Sequence, residues 1–192
     1  KRYFYAIPKS IIMKNSCLIV LLVSVASMTV SAQPIRIELQ SGTITEITVD
    51  GTQAAPMPDL SWAWNSSVAC FPETEAEHFT GHHVLYTFAL PSYTEVEIEA
   101  IPDDPSVDLS LYAYEVGQVS ERNTVPNLSS CVRCEADHKW DRSYRGRTQT
   151  HVRKVSNILA LRNPYEVVVG IVGPQAALEE SGVTLRITAK KR

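Results

Sequence analysis

The sequence predicts an all-β fold, two antiparallel sheets packed as a β-sandwich or jelly roll, with one long cysteine-containing loop insertion. Three observations carry this. Helical periodicity is nearly absent after Ala32. Short runs that alternate apolar and polar residues, or are rich in β-branched ones, recur along the rest of the chain. Turn signals separate them, at Pro91-Ser92, Pro102-Asp103-Asp104-Pro105, Asn163-Pro164, Gly173-Pro174 and Ser181-Gly182. Many short strands with regular turns bury their apolar faces best as two stacked sheets.

Each run has its own reason. Ile35, Ile37 and Leu39 alternate, and Ile47 and Val49 follow the turn at Ser41-Gly42. Val84, Tyr86 and Phe88 alternate and stop at Pro91. Val96, Ile98 and Ala100 interleave with Glu95, Glu97 and Glu99, which predicts one packed face and one wet carboxylate face. Leu109, Leu111 and Ala113 alternate with Ser110, Tyr112 and Tyr114, and Gly117 ends that run. Val155–Leu161 closes at Asn163-Pro164. The stretch from Tyr165 to Ile171 is nearly all apolar, as a central strand buried on both faces would be. Val183, Leu185 and Ile187 form the last strand, preceded by a short helix over Gln175–Glu180. Two stretches read as irregular, Thr52–Glu77 and the insertion Gln118–Thr150.

Residues 1–32 are expected to lie outside the fold. Leu18–Val30 is an apolar core of about 13 residues, short for a membrane span. It follows Lys14 and ends at Val30-Ser31-Ala32, the small-x-small exit of a secretory signal peptide. Met13 is then the natural initiator and Lys1–Ile12 upstream sequence. The expected product begins at Gln33, is exported to the periplasm or beyond, and keeps no membrane span. Residues 33–80 would supply N-terminal strands and an irregular segment packed on the sandwich of 81–192.

Of 18 basic residues, the leader holds Lys1, Arg2, Lys9 and Lys14 and no acid, which leaves 14 against 21 acidic residues. Their distribution is uneven. No Lys or Arg occurs between Ile37 and Glu121, which carry 15 acids, whereas Arg122–Arg192 carry 13 basic residues and 6 acids. Such halves either face each other or present separate patches. Net acidity argues against a nucleic-acid partner.

Cys70, Cys131 and Cys134 remain after the leader. In an exported chain disulfides are the default. A bridge from Cys70 to Cys131 or Cys134 would close about 60 residues and contribute on the order of 4 kcal/mol, whereas Cys131–Cys134 would close only a tight local loop. The competing chemistry is zinc. Cys131-x-x-Cys134-x-x-x-His138 offers three ligands, and Cys70, His78, His82 or His83 a fourth. His78, His82 and His83 also stand near Glu73, Glu75 and Glu77, a set suited to a transition metal unless it is only a wet turn entering a strand. Asp103, Asp104 and Asp108 offer oxygen ligands to calcium but lack the usual loop spacing. No nucleophile-elbow, metalloprotease, phosphate-loop or dinucleotide motif occurs.

Two aromatic groups suit recognition. Trp62 and Trp64 would share one face if their segment is a strand, either stacking sugars or packing under the sandwich. In the insertion, Lys139, Trp140, Arg142, Tyr144, Arg145 and Arg147 form a basic, aromatic stretch able to contact anionic or sugar ligands. The same cations would serve equally to dock on the acidic strands of the first half.

Four segments together carry a family resemblance. His83-Val84-Leu85-Tyr86-Thr87-Phe88-Ala89-Leu90-Pro91, Asp108-Leu109-Ser110-Leu111-Tyr112, Tyr165-Glu166-Val167-Val168-Val169-Gly170 and Val183-Thr184-Leu185-Arg186-Ile187 resemble strands of bacterial pre-peptidase C-terminal domains. The resemblance covers about 81–189. Asn163-Pro164 stands where such domains carry a glycine, and the insertion is longer than theirs. The resemblance implies a small β-sandwich of a kind appended to secreted enzymes, here in freestanding form. The expected function is a non-catalytic module that binds an extracellular polysaccharide or a cell-surface protein and needs no cofactor. The alternative is a zinc or calcium protein, or an enzyme, built on the Cys/His cluster.

Overall fold

The computed structural model describes residues 33–57, 59–64 and 73–192. The leader and Cys70 lie outside the described residues.

Among the described residues, ten strands form two sheets. They are β1 (Ile35–Arg36), β2 (Ile44–Thr48), β3 (Ala55–Met57), β4 (Gly81–Leu90), β5 (Thr94–Pro102), β6 (Ser110–Val116), β7 (Arg133–Asp137), β8 (Arg153–Ala160), β9 (Tyr165–Gly173) and β10 (Val183–Lys191). The larger sheet runs β1-β4-β9-β6-β7, with β3 also on β4; the smaller runs β2-β10-β5-β8. All pairs are antiparallel except β1 with β4, which places Ile35 beside Tyr86. β1 and β3 cover different stretches of the same edge of β4. Pro56 fits there because an edge residue has no ladder hydrogen bond to donate. The helix α1 spans Gln175–Glu180, as the sequence predicts.

The inner core lies between the sheets. Phe88, Leu90, Val96, Ile98, Leu111, Ile158, Val169, Ile171, Leu185 and Ile187 are fully buried there. Each such side chain contributes about 1.5–3 kcal/mol relative to exposure. β5 shows strict alternation of buried and part-exposed residues. Its outer carboxylates meet cations from the second half of the chain. Glu95 pairs with Arg192 at 2.8 Å and Glu97 with Lys154 at 2.8 Å, while Glu99 lies 3.4 Å from Arg186. The two charge-biased halves therefore do face each other, across the outer surface of the smaller sheet.

The larger sheet has a second, outer core. Leu85, Tyr112, Tyr114, Val168 and Val172 point away from the inner core and are covered by Leu60, Trp62, Ala63, Phe79, Val125 and Leu128. This burial on both sides explains the continuous apolar run of β9. The same core anchors the insertion, where Val125 and Leu128 are 1% and 3% exposed. The insertion contains a strand, β7, hydrogen-bonded to β6 with Cys134 opposite Tyr114. Trp62 and Trp64 lie on a 3-10 turn, Ser61–Trp64, not a strand, so their rings do not share a face. Trp62 packs 5.6 Å from Tyr112, centroid to centroid, and Trp64 is exposed.

Candidate binding surface

After β7 the chain rises from the sheet as a hairpin-like loop, residues 137–151. Its base is tied by side-chain hydrogen bonds. Gln149 accepts from the Trp140 backbone N–H at 2.7 Å and donates to the His138 carbonyl at 2.8 Å, joining both limbs. Asp137 accepts from the Lys154 backbone N–H at 2.8 Å. The Arg153 guanidinium, 2% exposed, donates to the Leu109 and Thr150 carbonyls at 2.8 and 3.1 Å. Burial draws its pKa below the ordinary value, opposed by the charges of Asp137 and Asp108.

The tip turns at Tyr144-Arg145-Gly146-Arg147. Arg145 and Gly146 have φ of 49° and 72°, and the Arg147 N–H donates to the Tyr144 carbonyl at 2.9 Å. Two successive positive φ values make the primed turn that matches strand twist, and glycine takes the second position at no steric cost. Trp140 and Tyr144 meet edge to face at 6.3 Å, and the Arg145 guanidinium lies 5.0 Å from the Tyr144 ring centre. Trp140 is 39% and Tyr144 58% exposed. Arg142, Arg145 and Arg147 are exposed, and none is ion-paired among the described residues. The acids of the first half take Lys154, Arg186 and Arg192 instead. Beside the loop lies a cleft of about 290 Å³ lined by Ser106, Lys139, Trp140, Arg142, Thr150 and His151.

The structure treats the metal-ligand candidates unevenly. Cys134 and His138 do not converge, because an extended chain separates positions four apart by about 13 Å. Cys131 is half-buried, and burial with Glu115 nearby pushes its thiol up to about 11. Asp103, Asp104 and Asp108 also disperse. Asp103 pairs its backbone with Gly182, Asp104 accepts the Ser106 N–H at 2.8 Å, and Asp108 lies 3.6 Å from Lys139. The Ser106 hydrogen bonds hold the Asp104 carboxyl below its ordinary pKa. His83 is fully buried and separated in role from His78. Its Nε2 donates to the Phe79 carbonyl and its Nδ1 accepts from the Tyr112 hydroxyl, both at 3.1 Å.

His78 and His138 do come together. Glu73–Phe79 is a 3-10 segment, which stacks residues three apart, so Glu75 and His78 share a face while Phe79 turns into the outer core. His138 leaves β7 opposite them, and its ring lies 4.3 Å from that of His78. Glu75 lies 3.2 Å from His138 Nε2 and 3.6 Å from His78 Nε2. The sequence set His78 with Glu75, and offered it as a fourth ligand beside His138, but joined all three in no single set and Asp141 in none.

No family model matches this chain, and no curated protein matches it either. Among solved structures it is similar to the pre-peptidase C-terminal domain of a collagenase from Bacillus anthracis. That similarity covers 83% of this chain and 97% of the other at 10% identity, with a TM-score of 0.35. The sandwich itself rests on the described strands and their pairing. Among the described residues no helix is long and apolar enough to cross a membrane.

Proposed function

We propose that this chain is a non-catalytic, secreted β-sandwich module that binds anionic polysaccharide outside the cytoplasm through the loop of residues 137–151. The observation that carries the reading is the exposed set Trp140, Tyr144, Arg142, Arg145 and Arg147 on a loop whose base is pinned by Gln149 and Arg153. Aromatic faces stack on sugar rings, and unpaired guanidinium groups take carboxylate or sulfate oxygens in pairs. A loop already held in shape loses less entropy on binding than a free one. Trp62, buried in the outer core, is not part of this surface.

A Cys70–Cys134 bridge belongs to the same proposal. Cys134 packs on the outer core that Trp62, Ala63 and Phe79 help to build. Those residues flank the segment that carries Cys70. Such a bridge would hold the insertion to the N-terminal segment. Peptide mapping of the oxidised protein tests it directly, and a Cys131–Cys134 peptide would replace it.

The surface is tested by replacing Arg142, Arg145 and Arg147 together with Ser. Retention on an acidic polysaccharide column should fall to background while the melting temperature moves by less than about 2 °C, since exposed substitutions cost little. Unchanged retention would remove the loop as the binding surface. A melting temperature lowered by several degrees would mean that these cations support the fold instead.

A further inference from the structure

We propose that His78, His138 and Glu75, with Asp141 as fourth ligand, form a zinc site that clamps the Glu73–Phe79 segment to the base of the 137–151 loop. The proposal is independent of what the loop binds. One ligand atom each from Glu75, His78 and His138 lie within 4.8 Å of one another, and so do those of Glu77, His78 and Asp141. His78 Nε2 is 3.1 Å from Asp141 Oδ1, and the Glu75 carboxylate is 3.2 Å from His138 Nε2. A tetrahedral ion with bonds of 2.0–2.2 Å has ligand-to-ligand edges of about 3.3–3.6 Å. Glu75 already sits near that spacing from both histidines, and the exposed Asp141 from His78.

Ligand chemistry selects the ion. Two imidazoles and carboxylates suit zinc among common divalent ions, whereas calcium and magnesium prefer all-oxygen sets. The side chains of His78 and His138 are 15% and 24% exposed, so the nitrogen ligands are shielded while Asp141, at 68%, remains in solvent. A cleft of about 190 Å³ lined by Glu77, His78, Thr80, Asp108 and Ser110 opens beside the cluster and provides entry. His138 is held from behind by its edge-on contact with Phe79, 5.8 Å between ring centres. Its backbone carbonyl accepts from Gln149. The ligands therefore come from two elements distant in sequence, each anchored on the same outer core. An ion bridging them would fix the loop without any change in the sandwich.

The test uses untagged, oxidised protein stripped with chelator and titrated with zinc sulfate in a calorimeter. One equivalent should bind, and cobalt(II) should give the intense visible absorption of a four-coordinate site. His138→Gln and His78→Gln should each weaken zinc by roughly 100-fold or more, since losing even an outer-shell partner costs 10–100-fold. Cys131→Ser should leave binding unchanged. In the unmodified protein, zinc should slow amide exchange in both Glu73–Phe79 and residues 138–141, a readout that requires no variant to fold. No saturable zinc binding would overturn the proposal. So would zinc that is indifferent to both histidine variants, is lost on Cys131→Ser, or leaves amide exchange in the two segments unaltered.

Discussion

Tyr112 lies across Gly170, so close that a Cβ on the glycine would fall 2.0 Å from the tyrosine ring. The two residues are directly paired between β6 and β9. The missing side chain lets a large ring lie on the outer face of the larger sheet, where Trp62, Phe79 and His83 pack around it. Tyr112 is fully buried, and it cannot swing aside without losing its hydrogen bond to His83. Gly170→Ala is expected to cost about 3 kcal/mol in urea unfolding, at the upper end of what overpacking costs. Adding Tyr112→Leu to the same chain should cost less than the two single changes together, because the clash disappears. A loss below about 1 kcal/mol for Gly170→Ala would mean that the ring has room to move.

His83 makes stability depend on pH. Burial lowers its pKa from 6.5 to about 4, opposed by the Phe79 carbonyl and helped by the neighbouring charge of His82. The unfolded chain therefore takes up this proton more readily than the folded one between pH 6.5 and 4. Stability present at pH 7 is lost as pH falls through that window and levels off below it. A slope of about 1.4 kcal/mol per pH unit gives about 2 kcal/mol lost by pH 5. His83→Gln removes the titrating group. The stability gap between the original protein and this variant should narrow by about that amount from pH 7 to pH 5. A gap that stays constant would place His83 in the charged form.

These two residues also show how far the sequence reaches. The apolar run of β9 announced a strand buried on both faces, and the Glu95-Glu97-Glu99 row announced the wet face of β5, because both are periodic signals within one element. Tyr112 over Gly170 is a contact between strands, and no period reveals it. β7 was illegible because the alternation in Arg133-Cys134-Glu135-Ala136-Asp137 rests on only two small residues, Cys134 and Ala136; it pairs because β6 offers an open edge. Trp62 and Trp64 were read with strand parity, and the 3-10 turn gave them different faces. His78 was flagged with Glu75 and, among four candidates, with His138, but which candidate meets His138 depended on the outer layer that folds the insertion back over the sheet. Arg142, Arg145 and Arg147 were legible as a group because they are close in sequence.

Asn157 sustains a bulge that keeps β8 in phase with the core. It has φ of 67°, and Ser156 and Asn157 together face Glu97 on β5, between the pairs Val96 with Ile158 and Ile98 with Val155. Val155 and Ile158 stand three apart, which in a regular strand would put them on opposite faces. The extra residue restores the phase, and both are buried in the inner core. Asparagine tolerates this left-handed conformation better than other side chains, and glycine tolerates it best. Asn157→Gly should therefore leave stability within about 0.5 kcal/mol, since relief of backbone strain offsets the greater freedom of the unfolded chain. Asn157→Val should cost about 1–2 kcal/mol, because a β-branched residue is strained there. Asn157 is exposed, so neither change disturbs packing and the difference between them isolates the backbone. Equal urea midpoints for the two variants would show that the bulge opens readily, and would leave Val155 without the register that buries it.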